Sequence, residues 1–119
     1  MAKILLAEDE ASVAEFVVRA LGHRGHDVRR VPDGLAAVAA LASEPYDMLL
    51  SDIVMPGLDG IALALKAGKD YPGMKILLIS GYADERQRAH NLDALAHRIV
   101  AKPFTLAEIC AAVDEVLAA

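Results

Sequence analysis

The chain has 119 residues, 55% of them hydrophobic, with a formal net charge of −5 and one cysteine, Cys110. That length can bury a core without disulfides or a structural metal, and no stretch approaches the roughly 18 uninterrupted apolar residues of a membrane span. The acidic balance argues against a nucleic-acid binder, which draws its affinity from clustered Lys and Arg. One domain over residues 1–119 is expected, with no output domain. The opening Met1-Ala2-Lys3-Ile4-Leu5-Leu6 meets Glu8, Asp9 and Glu10 too soon for a signal peptide. A single cysteine among small and apolar residues fits a reducing compartment, so the expected location is cytoplasmic.

Five short runs read as strands: Lys3 to Ala7, Asp27 to Val31, Met48 to Ser51, Lys75 to Ile79 and Arg98 to Ala101. Ile4-Leu5-Leu6, Met48-Leu49-Leu50 and Ile76-Leu77-Leu78-Ile79 are continuously apolar, as strands covered on both faces of a parallel sheet must be. The second run alternates, which suits a sheet edge. After the first strand, Val13, Phe16, Val17, Ala20 and Leu21 recur at helical spacing, and Gly22 and Gly25 supply a stop. The mixed charges Asp84-Glu85-Arg86-Gln87-Arg88 begin another expected helix with a solvated face. Near the end, Thr105 and Glu108 form a capping box ahead of an apolar stripe of Ile109, Ala112, Val113, Val116 and Leu117. Strand and helix thus alternate five times, which predicts an α/β fold: a doubly wound (βα)5, flavodoxin-like three-layer sandwich with right-handed crossovers.

Ligands of such folds collect beyond the carboxyl ends of the strands. Here the first strand runs into Glu8 and Asp9, the third into Asp52, the fourth into Ser80 and the fifth into Lys102. With strand order 2-1-3-4-5 the first and third strands are neighbours, and Asp9 should face Asp52. Three carboxylates in one pocket repel unless a cation neutralises them, and an all-oxygen donor set suits Mg²⁺. Lys102 and the Ser80 hydroxyl would hold the oxygens of an incoming phosphoryl group, leaving Asp52 as the nucleophile.

The residues that carry this pattern resemble the response-regulator receiver domain, the CheY-like family. The resemblance runs from Lys3 to Leu117 and rests most on Asp52-Ile53-Val54-Met55-Pro56-Gly57-Leu58-Asp59-Gly60 and on Lys102-Pro103-Phe104. It implies that Asp52 accepts a phosphoryl group from a histidine kinase or histidine phosphotransfer protein. By the same resemblance Asp9, Asp52 and the Val54 backbone carbonyl bind Mg²⁺, Glu8 acts through water, and the Lys102-Pro103 bond is cis. The chain would be a phosphoacceptor that promotes its own phosphorylation rather than an enzyme with a separate substrate. Leu5-Leu6-Ala7-Glu8-Asp9-Glu10 and the Asp-Ile-Val-Met-Pro-Gly stretch look like the single-domain CpdR type of alphaproteobacterial regulator. That likeness implies a link to regulated proteolysis in the cell cycle, through the ClpXP protease or its adaptors. The Ala118-Ala119 end is similar to the small apolar tails such proteases engage.

Two departures stand out. Three residues before Lys102 the family carries Tyr or Phe as a switch, and here Ile99 stands there; Tyr82, two residues after Ser80, is a nearby aromatic that would serve instead or simply pack on the rim. Val54 and Tyr82 occupy the positions that orient the hydrolytic water in the family, and neither is a carboxylate or amide, so slow self-dephosphorylation is expected. Arg86, Arg88 and Arg98 are the charges of a possible partner surface. His23, His26, His90 and His97 lack paired-ligand spacing and are expected at the surface. There is no G-x-x-x-x-G-K-[ST] segment and no glycine cluster after the first strand, which sets aside P-loop and dinucleotide binders. A haloacid-dehalogenase-type phosphatase would have a second Asp where Val54 stands. A phosphorylation-independent pseudo-receiver, or a receiver from a hybrid histidine kinase, remains as the alternative.

Overall fold

The computed structural model describes residues 2–81 and 98–119. Its elements are β1 (Lys3–Ala7), α1 (Ala11–His23), β2 (Asp27–Val31), α2 (Gly34–Ser43), β3 (Met48–Asp52), α3 (Gly60–Asp70), β4 (Lys75–Ser80), β5 (Arg98–Ala101) and α4 (Leu106–Ala118). All strand pairs are parallel, as the alternating pattern predicts, and the sheet order is β2-β1-β3-β4-β5, the order under which Asp9 should face Asp52. The helix expected to start near Asp84, and with it Tyr82, Arg86, Arg88, His90 and His97, lies outside the described residues.

The continuous apolar strands earn two cores because alternate side chains point to opposite faces. Ile4, Leu6, Met48, Leu50, Leu77 and Ile79 pack with residues of α1 and α4. Leu5, Ala7, Leu49, Ile76 and Leu78 pack with residues of α2 and α3 on the other side. Each fully buried Leu or Ile contributes about 1.5–3 kcal/mol relative to exposure, so the three layers hold one another. β2 and β5 are the edges, and in β2 Asp27 and Arg29 are exposed while Val31 is buried. No described helix is long and apolar enough to cross a membrane.

Several local expectations shift. β3 and β4 each run one residue beyond their expected ends, Ser51 and Ile79, to Asp52 and Ser80. Backbone pairing continues past the change in polarity: Asp52 stays in register with Ile79, and Ser80 with Ala101. In α1 the buried stripe is Ala14, Val17, Ala20 and Leu21, whereas Phe16 is 41% exposed and meets Phe104 at a ring-centroid distance of 6.2 Å. Gly22 stays inside α1, and Gly25 provides the stop at φ 85°. His26 is not a surface histidine: its side chain is 8% exposed, and Nδ1 accepts a hydrogen bond from the Ala2 N–H at 3.1 Å. In α4 the expected capping box forms, and Cys110 is wholly buried.

Both α2 and α3 begin at an Asp-Gly pair. Asp33 and Asp59 are the N-caps, accepting from the Ala36 and Ala62 N–H groups at 2.8 Å each. The glycines that follow are needed for space. A Cβ on Gly60 would lie 2.1 Å from the Asp52 carbonyl oxygen, and one on Gly34 would lie 2.3 Å from the Leu58 carbonyl oxygen. Gly60 also donates its N–H to the Ile53 oxygen at 2.8 Å, so α3 starts directly against the end of β3.

Gly60→Ala is expected to lower stability by about 1–3 kcal/mol through overpacking on backbone. Gly22→Ala, where a Cβ meets nothing within 4 Å, should leave the melting temperature level or raise it. Thermal unfolding of the two variants checks the pair; equal melting temperatures would overturn the steric account.

Candidate functional site

A cleft of about 630 Å³ opens where β1, β3 and β5 end, lined among others by Asp9, Asp52, Val54 and Lys102 and reaching along α1 to Phe16 and Phe104. The sheet register builds it. Ala7 pairs with Ser51 across β1 and β3, so the residues that follow, Glu8 and Asp9 on one strand and Asp52 on the other, emerge side by side. Carboxylate oxygens of Glu8, Asp9 and Asp52 all lie within 4.8 Å of one another. Glu8 is 0% and Asp52 5% exposed, while Asp9 is open to solvent.

Lys102 reaches this group from the end of β5. Its Nζ donates to Asp52 Oδ2 at 3.1 Å and lies 3.2 Å from Glu8 Oε1. Its backbone N–H donates to the Ser80 oxygen at 2.8 Å, and the Lys102-Pro103 peptide is cis, as expected. Ser80 is buried at the end of β4. Glu8, Asp9, Asp52 and Lys102, from three strand ends, therefore meet in one place, and Ser80 lies at the end of the adjacent β4, joined to Lys102 through its backbone carbonyl. Val54 is 53% exposed on the cleft wall. Ile99, half-buried in β5 opposite Leu78, packs against the core shared with α2 and α3. Arg98 is exposed and paired with Glu115.

The charges do not balance. Burial pushes the Glu8 carboxyl up to about 7, and the nearby Asp52 charge adds to the shift; the Glu10 N–H and Lys102 oppose it. Burial also raises Asp52, against the pull of Lys102. For Lys102 burial acts downward, but the bond to Asp52 and the charges of Asp52 and Glu8 hold the ammonium above its ordinary value. Glu8 Oε2 accepts from the Glu10 N–H at 3.2 Å, yet Oε1 has no aligned hydrogen-bond donor despite the nearby Lys102. A buried, unsatisfied carboxylate oxygen beside two more carboxylates is a donor set that fits a hard divalent cation.

Two polar residues went unread in the sequence: Ser12 lines the cleft, and Arg30 lies beside it. Arg30 of β2 donates through Nε and Nη2 to the Glu8 carbonyl oxygen at 3.0 and 2.8 Å. The alternating charge of Asp-Val-Arg-Arg-Val marks an edge strand but not which arginine reaches the backbone after β1.

The response regulator receiver domain family model matches residues 4–114. The response regulator receiver protein CpdR of Brucella abortus is 39% identical, with 100% of this chain and 99% of that protein covered. The sensor kinase CckA of the same organism is 37% identical over 98% of this chain, which spans 12% of the kinase. Among solved structures, the response regulator TrrA of Thermotoga maritima in complex with Mg²⁺-BeF is 28% identical with a TM-score of 0.89, covering 98% of this chain and 99% of that one. A CheY-like receiver domain protein of Methanospirillum hungatei is 26% identical with a TM-score of 0.91, covering 99% and 94%. Sheet order, strand-end carboxylates and these matches agree: the chain belongs to the response regulator receiver domain family.

Proposed function

We propose that this chain works as a stand-alone response regulator that takes a phosphoryl group on Asp52, with Mg²⁺, and signals through contacts with another protein. The observation that carries the reading is the Asp52 carboxylate, 5% exposed and held by Lys102 at 3.1 Å, beside the unsatisfied Oε1 of Glu8. Asp9, Asp52 and the Val54 carbonyl would hold the ion, with Glu8 acting through water. When bound, the ion offsets negative charge on the phosphoryl oxygens.

The chain's own residues supply position and charge. An Asp52 oxygen attacks phosphorus in line, the donor's bond to phosphorus breaks, and the donor leaves with the electron pair. Lys102, paired with Asp52 and Glu8 at rest, turns its ammonium to donate a hydrogen bond to a phosphoryl oxygen, and the Ser80 hydroxyl donates to another. The donor is a histidine kinase or histidine phosphotransfer protein; similarity to CckA supports a kinase partner. Mutual coverage with CpdR supports a single-domain regulator; as its output we propose, from the CpdR-type resemblance of the sequence, regulated proteolysis by way of ClpXP or its adaptors. Aliphatic Val54 on the cleft wall presents no group to orient a hydrolytic water, which favours a long-lived phosphoryl group.

Incubation with Mg²⁺ and acetyl phosphate should add one phosphoryl mass to the wild type and none to Asp52→Ala, and the phosphorylated form should persist for minutes. Mass spectrometry over time reads both. Absence of the added mass would leave the pseudo-receiver alternative, and loss within seconds would overturn the slow-hydrolysis assignment.

The raised Glu8 carboxyl also sets a pH dependence. Without metal, the folded chain retains a proton that the unfolded chain releases above its ordinary value of 4.5. The stability this gives is complete below that value and is lost as pH rises through about 7. The metal-free melting temperature should therefore fall between about pH 4.5 and about pH 7 and level off above, Glu8→Gln should flatten the fall, and Mg²⁺ should offset it. A level or rising metal-free profile would count against the buried proton.

A further inference from the structure

We propose that Arg30 is a positioning residue: by gripping the Glu8 and Asp9 backbone carbonyls from the edge strand, it presets both carboxylates and so raises the affinity of the cleft for a divalent cation. The inference rests on the proposed Mg²⁺-dependent function of that cleft and adds a residue which the family pattern at the strand ends does not include.

β1 ends at Ala7, so Glu8 and Asp9 lie beyond the last regular pairing of the strand, where loop backbone is ordinarily left to solvent. Here β2 holds it from two sides. The Glu8 N–H donates to the Val31 oxygen at 3.1 Å. The Glu8 carbonyl accepts from Arg30 Nε at 3.0 Å and Nη2 at 2.8 Å, and Nη2 also reaches the Asp9 carbonyl at 3.4 Å. Both backbone polar groups of Glu8, its N–H and its carbonyl, are thereby fixed to one neighbouring strand, and the direction in which its side chain leaves the backbone is fixed with them. That direction leads to Lys102 and to the cluster with Asp9 and Asp52.

A guanidinium is suited to this task. Its planar fork places two donors on one acceptor and turns a third contact to the next carbonyl, whereas an ammonium on a flexible stem holds one point. It also sets a positive charge beside backbone that carries two acidic side chains, without touching the carboxylate oxygens a cation needs. Water could satisfy the same carbonyls but could not restrain them, and ligands that must be ordered on binding lower affinity. The adjacent Arg29 makes an internal comparison: on the same strand, it turns the other way and pairs with Glu44 at 3.0 Å.

The test compares Arg30→Met, Arg30→Lys and Arg29→Met with wild type. Metal-free thermal unfolding reports folding, calorimetric titration with Mg²⁺ reports affinity, and acetyl phosphate uptake against Mg²⁺ concentration separates half-saturation from limiting rate. Arg30→Met should weaken Mg²⁺ binding by about tenfold, in the range seen for residues that orient metal ligands. Its limiting uptake rate at saturating Mg²⁺ should stay within about twofold of wild type, because Asp52, Ser80 and Lys102 are untouched. Arg30→Lys should fall between the two, and Arg29→Met should keep wild-type affinity whatever its melting temperature. Wild-type affinity in Arg30→Met, or equal weakening in Arg29→Met, would overturn the positioning role while leaving the proposed function standing. Failure of wild type to bind Mg²⁺ would overturn both. If Arg30→Met does not fold, the decision passes to Arg30→Lys, for which unchanged affinity overturns the role.

Discussion

Two buried carboxylates and one solvent-exposed carboxylate at the ends of neighbouring parallel strands set the constraint on which the rest of the cleft depends. The β1–β3 register delivers Glu8, Asp9 and Asp52 to one place, and the sheet cannot change that register without moving alternate side chains to the wrong core. Desolvation then makes full ionisation unfavourable. Lys102 answers part of the charge, but its single ammonium sits between Asp52 and Glu8 and leaves Glu8 Oε1 without a hydrogen bond. Burying charge this way is unfavourable for stability alone, and so is more readily understood as a device for ligand binding.

The surroundings keep those carboxylates from relaxing. Gly60 lets α3 begin against the Asp52 carbonyl, with Asp59 capping the same turn. The Lys102 backbone is bonded to Ser80, which ties the lysine to the adjacent strand. Arg30 restrains the acidic loop from the opposite edge. The two cores fix the strand register, and these contacts to backbone fix the segments that leave the strand ends.

The fold and most of the cleft could be read from the sequence because both depend on strong local signals. Three continuous apolar runs flanked by polar residues marked the central strands, and the polar residues at their ends marked the cleft. Asp52 and Ser80 showed the limit of that signal, since side-chain polarity changes before backbone pairing stops. Helix α2, Gly-Leu-Ala-Ala-Val-Ala-Ala-Leu-Ala-Ser, is apolar around most of its circumference and offers no stripe to locate its buried face. Phe16 kept helical spacing yet sits at the margin, where a ring from the loop before α4 meets it. His26 and Arg30 were missed for one reason: each contacts backbone distant in sequence, Ala2 in one case and Glu8 in the other. Such partners leave no short-range pattern.

Cys110 gives the second core a probe of its own. It is the chain's one thiol, it is wholly inaccessible, and its sulfur lies 3.7 Å from the Ala20 carbonyl, between α4 and α1. A reagent that alkylates thiols can reach it only after those helices part. The rate of its modification therefore clocks the opening of the α1–α4 layer, and a change in that rate upon phosphorylation would register how far an event at the strand ends is felt in the helices behind them.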